Sequence, residues 1–171
     1  MSEVDQKEAQ FVLQRIYVKD MSFESPKAPD AFLQQFKPKI NLELNSSHRS
    51  MSEDNYEVTL SVTVTATNEE EEVIYLVEVE QAGVFFIKGM EDDAFTQALG
   101  SFCPSVLFPY ARETIDTIVI KGSFPALMLA PVNFDAVYAQ AKAQAEAQAN
   151  NIQKLIEALE IGLANSLINN N

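Results

Sequence analysis

The chain has 171 residues, a length suited to one domain with a real core. Lys and Arg total 12 against 25 Asp and Glu, a net charge of −13, which opposes binding to phosphate backbones and to anionic membranes and suits a basic partner. A single cysteine, Cys103, excludes an intrachain disulfide and fits a reducing compartment. Residues 1–9 are polar and mostly acidic and read as a frayed tail rather than a signal peptide. No apolar run reaches the roughly 20 residues that span a bilayer. A cytoplasmic protein without direct membrane insertion is the expectation.

Phe11–Glu24 reads as a first strand of mixed pattern, with apolar residues on both parities and hence both faces expected to be partly covered. Ser25–Pro38 contains Pro26, Pro29 and Pro38, which remove backbone donors, so it reads as a connector. Lys39–Asn45 reads as a second strand with Ile40, Leu42 and Leu44 on one side, followed by a polar loop, Ser46–Asp54. Asn55–Asn68 carries the strongest signal in the chain. Tyr56, Val58, Leu60, Val62, Val64 and Ala66 alternate without a break with Glu57, Thr59, Ser61, Thr63, Thr65 and Thr67. Side chains on a strand point to opposite faces with period two, so this strand has one greasy and one wet face. An acidic turn, Glu69–Glu72, leads into a fourth strand, Val73–Ile87. There Val73, Tyr75, Val77 and Val79 share one face and Ile74, Leu76, Glu78 and Glu80 the other. Short connections predict an antiparallel sheet of about four strands.

Beyond Met90 the pattern turns helical. Asp92 or Asp93 is a candidate cap, and Phe95, Leu99 and Phe102 share one helical side. Pro104 and Pro109 predict an interruption before a second helix, Phe108–Lys121, with Ala111, Ile115, Ile118 and Val119 turned to a neighbour and Gly122 as its stop. Ser123–Asn133 reads as an extended apolar crossing segment. A last helix begins near Asn133; its alanine-rich 139–149 stretch favours helix, and Ile152, Leu155, Ile156, Leu159, Leu163 and Leu167 give the later part an apolar stripe.

The residues offer little chemistry. One cysteine and one histidine (His48) cannot build a Cys/His zinc site, and a Cys103–His48 catalytic pair has no local signature. No phosphate-binding loop is present, so no nucleotide cofactor is expected. Four successive glutamates are a solvated turn far more often than a metal site. Within each strand, parity groups Asp20 with Glu24 on the first and Leu76 with Glu78 on the fourth; if the two faces are the same one, an acidic patch with an apolar spot results.

Three segments carry a resemblance: R-I-Y-V-K-D-M-S-F-E-S-P at Arg15–Pro26, C-P-S-V-L-F-P-Y-A-R-E at Cys103–Glu113, and G-S-F-P-A-L-M-L-A-P-V-N-F-D-A-V-Y at Gly122–Tyr138. Together they closely resemble the SecB family of bacterial protein-export chaperones, from about Phe11 to Tyr138. The resemblance implies an α+β fold, a four-stranded antiparallel sheet with helices packed on one side, assembled as a dimer of dimers. It implies a non-enzymatic, ATP-independent chaperone that binds unfolded precursors of secreted proteins and hands them to the motor ATPase SecA. The family's SecA-docking face maps onto Asp20, Glu24, Leu76 and Glu78. Its tetramer contact maps onto Val77, Val79 and Gln81, with Phe95, Leu99 and Phe102. Candidates to line a client groove are Tyr17, Phe23, Phe32, Phe36, Phe85, Phe108 and Tyr110. The organisation expected is a tail (1–9), a SecB-like domain (10–138) and a helical or mobile C-terminal segment (139–171), the last unlike the short acidic tail usual in the family. The alternative reading is an acidic oligomeric adaptor for one folded partner.

Overall fold

The computed structural model describes residues 8–169, and side chains as far as Ile161. Most of the expected 1–9 tail, and Leu163 and Leu167 of the late stripe, lie outside the described residues or side chains. Two compact units divide the chain, one ending at Phe134 and one beginning at Asp135.

The first unit is built on four antiparallel strands, β1 (Gln10–Glu24), β2 (Lys39–Ser52), β3 (Asn55–Thr67) and β4 (Val73–Lys88), in the order β1-β4-β3-β2. The two hairpins β2–β3 and β3–β4 set three of these neighbours. The β3–β4 turn is organised by Asn68, whose Oδ1 accepts hydrogen bonds from the backbone N–H groups of Glu70 and Glu72, while Glu71 takes a left-handed φ of 62°. Because β1 lies against β4 and β2 lies at the far edge, Ser25–Pro38 must cross about 14 Å of sheet, three strand spacings. A single-turn helix, Asp30–Leu33, lies within that crossover.

β2 is longer than its sequence pattern predicts. Ser46–Ser52, expected as a loop, stays paired to β3, with His48 opposite Val58. The exposed edge position explains this: no buried face demands apolar residues there, so the alternation that marks a strand is missing.

β1 is also corrected. Its register slips at Gln14, between Leu13 and Arg15, and at Lys19, between Val18 and Asp20. Each bulge inserts one residue and reverses the parity that follows. Phe11, Leu13, Ile16, Val18, Met21 and Phe23 therefore all project from the face that carries Phe85, Gly83, Gln81, Val79 and Val77 of β4. The apolar residues of the mixed pattern thus gather on one face in three phases, while Tyr17 and Ser22 on the other face are half-buried too, so both faces are partly covered as expected.

One helical run covers that face. It comprises α1 (Asp92–Gln97), a π turn (Ala98–Phe102) and α2 (Cys103–Lys121). Glu91 stands at the cap position without a side-chain hydrogen bond, so Asp92 and Asp93 occupy the first turn, where they complement the helix dipole. The expected break at the prolines does not occur. Pro104 falls in the first turn of α2, where a missing N–H is harmless, and Pro109 is accommodated inside the helix. Cys103, Leu107, Ala111, Ile115 and Val119 recur every fourth residue and are buried against Val58, Leu60, Val62 and Phe85 as one core.

Two glycines mark the closest approaches. A Cβ at Gly83 would come within 3.0 Å of a Leu107 methyl and 3.1 Å of the Arg15 carbonyl oxygen, and one at Gly122, the C-cap of α2, would stand 2.3 Å from the Phe23 ring. Gly122 has φ −75°, so space rather than backbone freedom selects it. The Ser123–Asn133 segment then returns under Asp116, whose Oδ1 accepts from the N–H groups of Leu127 and Met128.

The second unit consists of the rest of α3 (Phe134–Asn169). Ile152, Leu155, Ile156 and Leu159 are exposed along it. Among the described residues no helix is long and apolar enough to cross a membrane.

Substituting Gly83→Ala should lower stability by about 1–3 kcal/mol, because helix, neighbouring ring and β1 backbone all close on the added methyl. Urea denaturation followed by circular dichroism measures this.

Candidate functional site

Two surfaces of the first unit separate by sheet face. The face away from α2 carries no helix of this unit. Reading the register across β1, β4, β3 and β2, it presents Glu24, Leu76, Thr65 and Asn41 in one row and Ser22, Glu78, Thr63 and Glu43 in the next. Asp20, Glu80, Ser61 and Asn45 form the third row. Asp20, Glu24, Leu76 and Glu78 thus lie together, with Glu24 directly opposite Leu76 and the Ser22 hydroxyl donating to Glu78 Oε2 at 3.3 Å. Glu80, which shares the parity of Leu76 and Glu78, joins them, as does Glu43 of β2. Five carboxylates without a cation among these twelve positions make that end of the sheet strongly negative.

The other end of the same face is different. Glu57 is only 4% exposed, yet it is a charged side chain. It accepts hydrogen bonds from the Tyr17 hydroxyl, from Lys19 Nζ at 3.2 Å and from Arg49 Nε. Its partners come from β1 and β2, so the cluster reaches across the whole sheet over the small Ala82 of β4. The Lys19 bulge is what brings an extra cationic side chain to it. The Tyr17 hydrogen bond, opposed by burial and reinforced by Arg49 and Lys19, lowers the Glu57 carboxyl from an ordinary 4.5 to about 2. Tyr17 itself is held protonated above its usual range by burial and by Glu57. Tyr17 is therefore committed to this cluster and stands on the opposite face from the other groove candidates.

On the helix-covered face, three of those candidates converge. Phe23, Phe32 and Phe36 surround Phe124, with ring centroids 6.5, 5.3 and 5.6 Å away. Tyr75 completes the group, 5.0 Å from Phe124 and stacked on Phe23 at 6.0 Å. Phe124 and Tyr75 were missed by the sequence reading as members of this cluster; for the first, the available signal was an aromatic beside Pro125 in the apolar Gly122–Pro131 segment. Phe32 and Leu33 remain exposed on the crossover, at 48% and 87%. A cleft of about 430 Å³ opens beside them, between the crossover and the β3–β4 turn, floored by Ala31, Phe36 and Ile74 and rimmed by Lys27, Asp30, Asn68 and Glu72. Lys27 closes one side through a 2.7 Å ion pair with Glu72.

The other candidates disperse. Phe85 is fully buried against Phe11 and belongs to the core, Phe108 is buried against Phe134, and Tyr110 is exposed on α2. Of the positions expected in a subunit contact, Val77, Val79, Gln81 and Leu99 are already interior to the single chain. Gln81 donates from Nε2 to the Tyr17 carbonyl at 2.9 Å. Phe95 packs edge-on against Tyr56 and is half-buried. Phe102 alone is exposed, at 54%, standing edge-on to Phe11. Along the outer strand β1, Leu13, Val18 and Met21 are exposed too.

Among the described residues no catalytic arrangement emerges. Burial raises the Cys103 thiol to about 12, which removes the thiolate a nucleophile needs, and His48 lies on the edge strand β2. No group of three or more metal-ligating side chains occurs among the described residues.

Residues 4–145 match the family model for preprotein translocase subunit SecB. The chain belongs to the SecB family. Protein-export protein SecB of Marinobacter nauticus is 62% identical over 137 residues, covering 80% of this chain and 82% of its own. The Pseudomonas syringae pv. tomato and Pseudomonas aeruginosa SecB proteins are 59% and 52% identical, covering 77% and 84% of this chain and 79% and 88% of their own. Among solved structures, the fold is similar to a Mycobacterium tuberculosis SecB-like chaperone in complex with a ChAD peptide from the HigA1 antitoxin. That likeness has a TM-score of 0.59 at 17% identity and covers 72% of this chain and 90% of the other. This is a protein-export chaperone family and not a family of enzymes.

Glu57→Gln should destabilise the fold at neutral pH. The native carboxyl titrates below its unfolded value, so its contribution is full above about pH 5 and fades as pH falls from 4.5 toward 2. Denaturation midpoints of the two proteins should therefore converge as the pH is lowered through that window.

Proposed function

We propose that this chain holds unfolded precursors of secreted proteins in a translocation-competent state, without ATP, and delivers them to the motor ATPase SecA from the cytoplasm. The observation that carries the reading is the separation of two dissimilar surfaces on opposite sides of one sheet. An aromatic cluster beneath an exposed crossover suits apolar segments that a folded protein would bury, each Å² of apolar contact contributing about 25 cal/mol. The peptide held by the mycobacterial neighbour supports a client role for this fold. The acidic, helix-free face suits a basic segment of a folded partner, approached by electrostatic steering.

Binding to the loosened chain but not to the native one favours the loosened state by mass action. Fast-folding proteins escape and slow ones are retained. Several copies would raise avidity for one long client without requiring any strong single contact. The assembly we favour is a homotetramer, a dimer of dimers. Leu13, Val18, Met21 and Phe102 form the apolar margin that a second copy would cover, next to the unpaired outer edge of β1. Val77, Val79, Gln81 and Leu99 would then act from beneath, by fixing the floor on which that margin rests.

Charge reversal tests the docking face. Asp20→Lys, Glu24→Lys and Glu78→Lys should each weaken SecA binding about threefold to tenfold at low salt, less at high salt, and leave capture of a denatured precursor unchanged. Unaltered SecA affinity in all three would remove the assignment, and failure of the unmodified protein to capture several unrelated denatured proteins would favour a single-partner adaptor. The subunit contact has its own measurement. Phe102→Glu should shift the light-scattering mass toward a smaller species, whereas a wild-type protein that scatters as a monomer would rule out the tetramer.

A further inference from the structure

Tyr75 is the feature of the client surface that packing alone does not account for. It lies on β4 opposite the small Ala66, fully buried, with one ring face on Phe23 and Phe124 beside it. Its hydroxyl has no hydrogen-bond partner. A buried hydroxyl left unpaired costs about 1–3 kcal/mol, while a phenylalanine of the same shape would fill the space at no such cost. Burial, with a smaller contribution from Asp116, raises the phenol to about 12, so it remains a neutral donor throughout the working pH range.

The crossover turn reaches this cluster through Phe32, whose ring packs on Phe124, the ring that also touches Tyr75. The single-turn helix Asp30–Leu33 buries none of its residues. Phe32 and Leu33 are exposed, and Phe36 is half-buried. Moving that turn aside would withdraw Phe32 from Phe124, the ring beside Tyr75, and would leave the fully buried β-strand core in place. A client segment entering there is extended and carries one carbonyl and one N–H at every residue, whatever its sequence.

We propose that the Tyr75 hydroxyl is the polar anchor of the client site, donating a hydrogen bond to a backbone carbonyl of an extended apolar segment that displaces the Asp30–Leu33 cover. This rests on the reading of the aromatic cluster as the client surface. The bond adds affinity without adding sequence preference, since every residue supplies the same acceptor. It also orients the bound strand relative to the rings. In the resting chain the hydroxyl is a liability, and only in the complex is it satisfied.

Stability and binding must then respond to Tyr75→Phe in opposite directions. The thermal midpoint of the full chain should be unchanged or raised. Affinity for a fixed extended apolar peptide, measured by fluorescence anisotropy, should weaken about threefold to tenfold, the range of one net hydrogen bond. The same peptide with esters replacing its amides in turn should lose affinity for the wild type at one position and lose nothing further for Tyr75→Phe. Equal affinity of the two proteins overturns the anchor. So does a lowered midpoint, which would mean that the hydroxyl is already paired at rest. Phe124→Ala separates the two levels of argument: if it binds the peptide as well as the wild type does, the aromatic cluster is not the client surface and the underlying reading fails.

Discussion

The position of β4 between β1 and β3 governs most of what this protein presents to its surroundings. With β4 central, the first strand and the second stand at opposite edges although they are neighbours in sequence. The connection between them has to traverse the sheet, and it does so as a proline-marked segment with little regular structure of its own. That traverse brings Phe32 and Phe36 over Phe124, the first left exposed and the second packed on the core. A hairpin between β1 and β2 would have spared the chain this excursion and would also have removed the cover from the aromatic cluster. The site follows from strand order as much as from side chains.

A second consequence is that a single helical run packs on one face. The run from Asp92 to Lys121 crosses β4 and β3 closely enough to require glycine at Gly83. The opposite face is then free to be flat and polar. Its charge is divided. Carboxylates gather where β1 and β4 carry Asp20, Glu24, Glu78 and Glu80, and the cations Lys19 and Arg49 are engaged by Glu57. Because Glu57 neutralises part of that positive charge and ties β1 to β2 across the sheet, the cationic end does not cancel the field of the acidic end. Apolar capture needs contact, whereas charge acts over roughly a Debye length, about 8–10 Å at physiological salt. Surfaces that operate by these different ranges can sit back to back on one sheet without competing for the same side chains.

How legible these features were in the amino-acid sequence depended on how completely an element is buried. β3 and β4 were readable nearly to their ends because one face of each lies in the core, and in β3 the alternation is unbroken. The carboxylate grouping followed from the same parity. β2 was truncated because an edge strand need not alternate, and β1 was misphased because a bulge leaves no mark in composition: Gln14 and Lys19 look like ordinary polar positions. Prolines misled in the helical run, where Pro104 takes the first turn and Pro109 is accommodated in the interior. Individual groove residues were the least legible. An aromatic residue in the core and one in a cleft have the same identity, and only the crossover's path distinguishes Phe32 from Phe85. Tyr75 reads from sequence as one more apolar-face residue, since nothing in the pattern reports an unpaired hydroxyl.

The C-terminal segment follows a different logic. The family match ends at residue 145, but α3 continues to Asn169. Alanine and glutamine dominate its first half, and alanine loses the least side-chain freedom on entering a helix. A helix longer than about 12–15 residues of such composition is sustained largely by its own backbone. Its helical form therefore does not require the packed domain, which is consistent with its standing as a separate compact unit. The later stripe is another matter: Ile152, Leu155, Ile156 and Leu159 recur at helical spacing yet are all exposed. Propensity explains why this segment is a helix, and spacing explains why it has a face. Neither requires that face to belong to the first unit, whose buried apolar cluster runs from Val58 to Phe134.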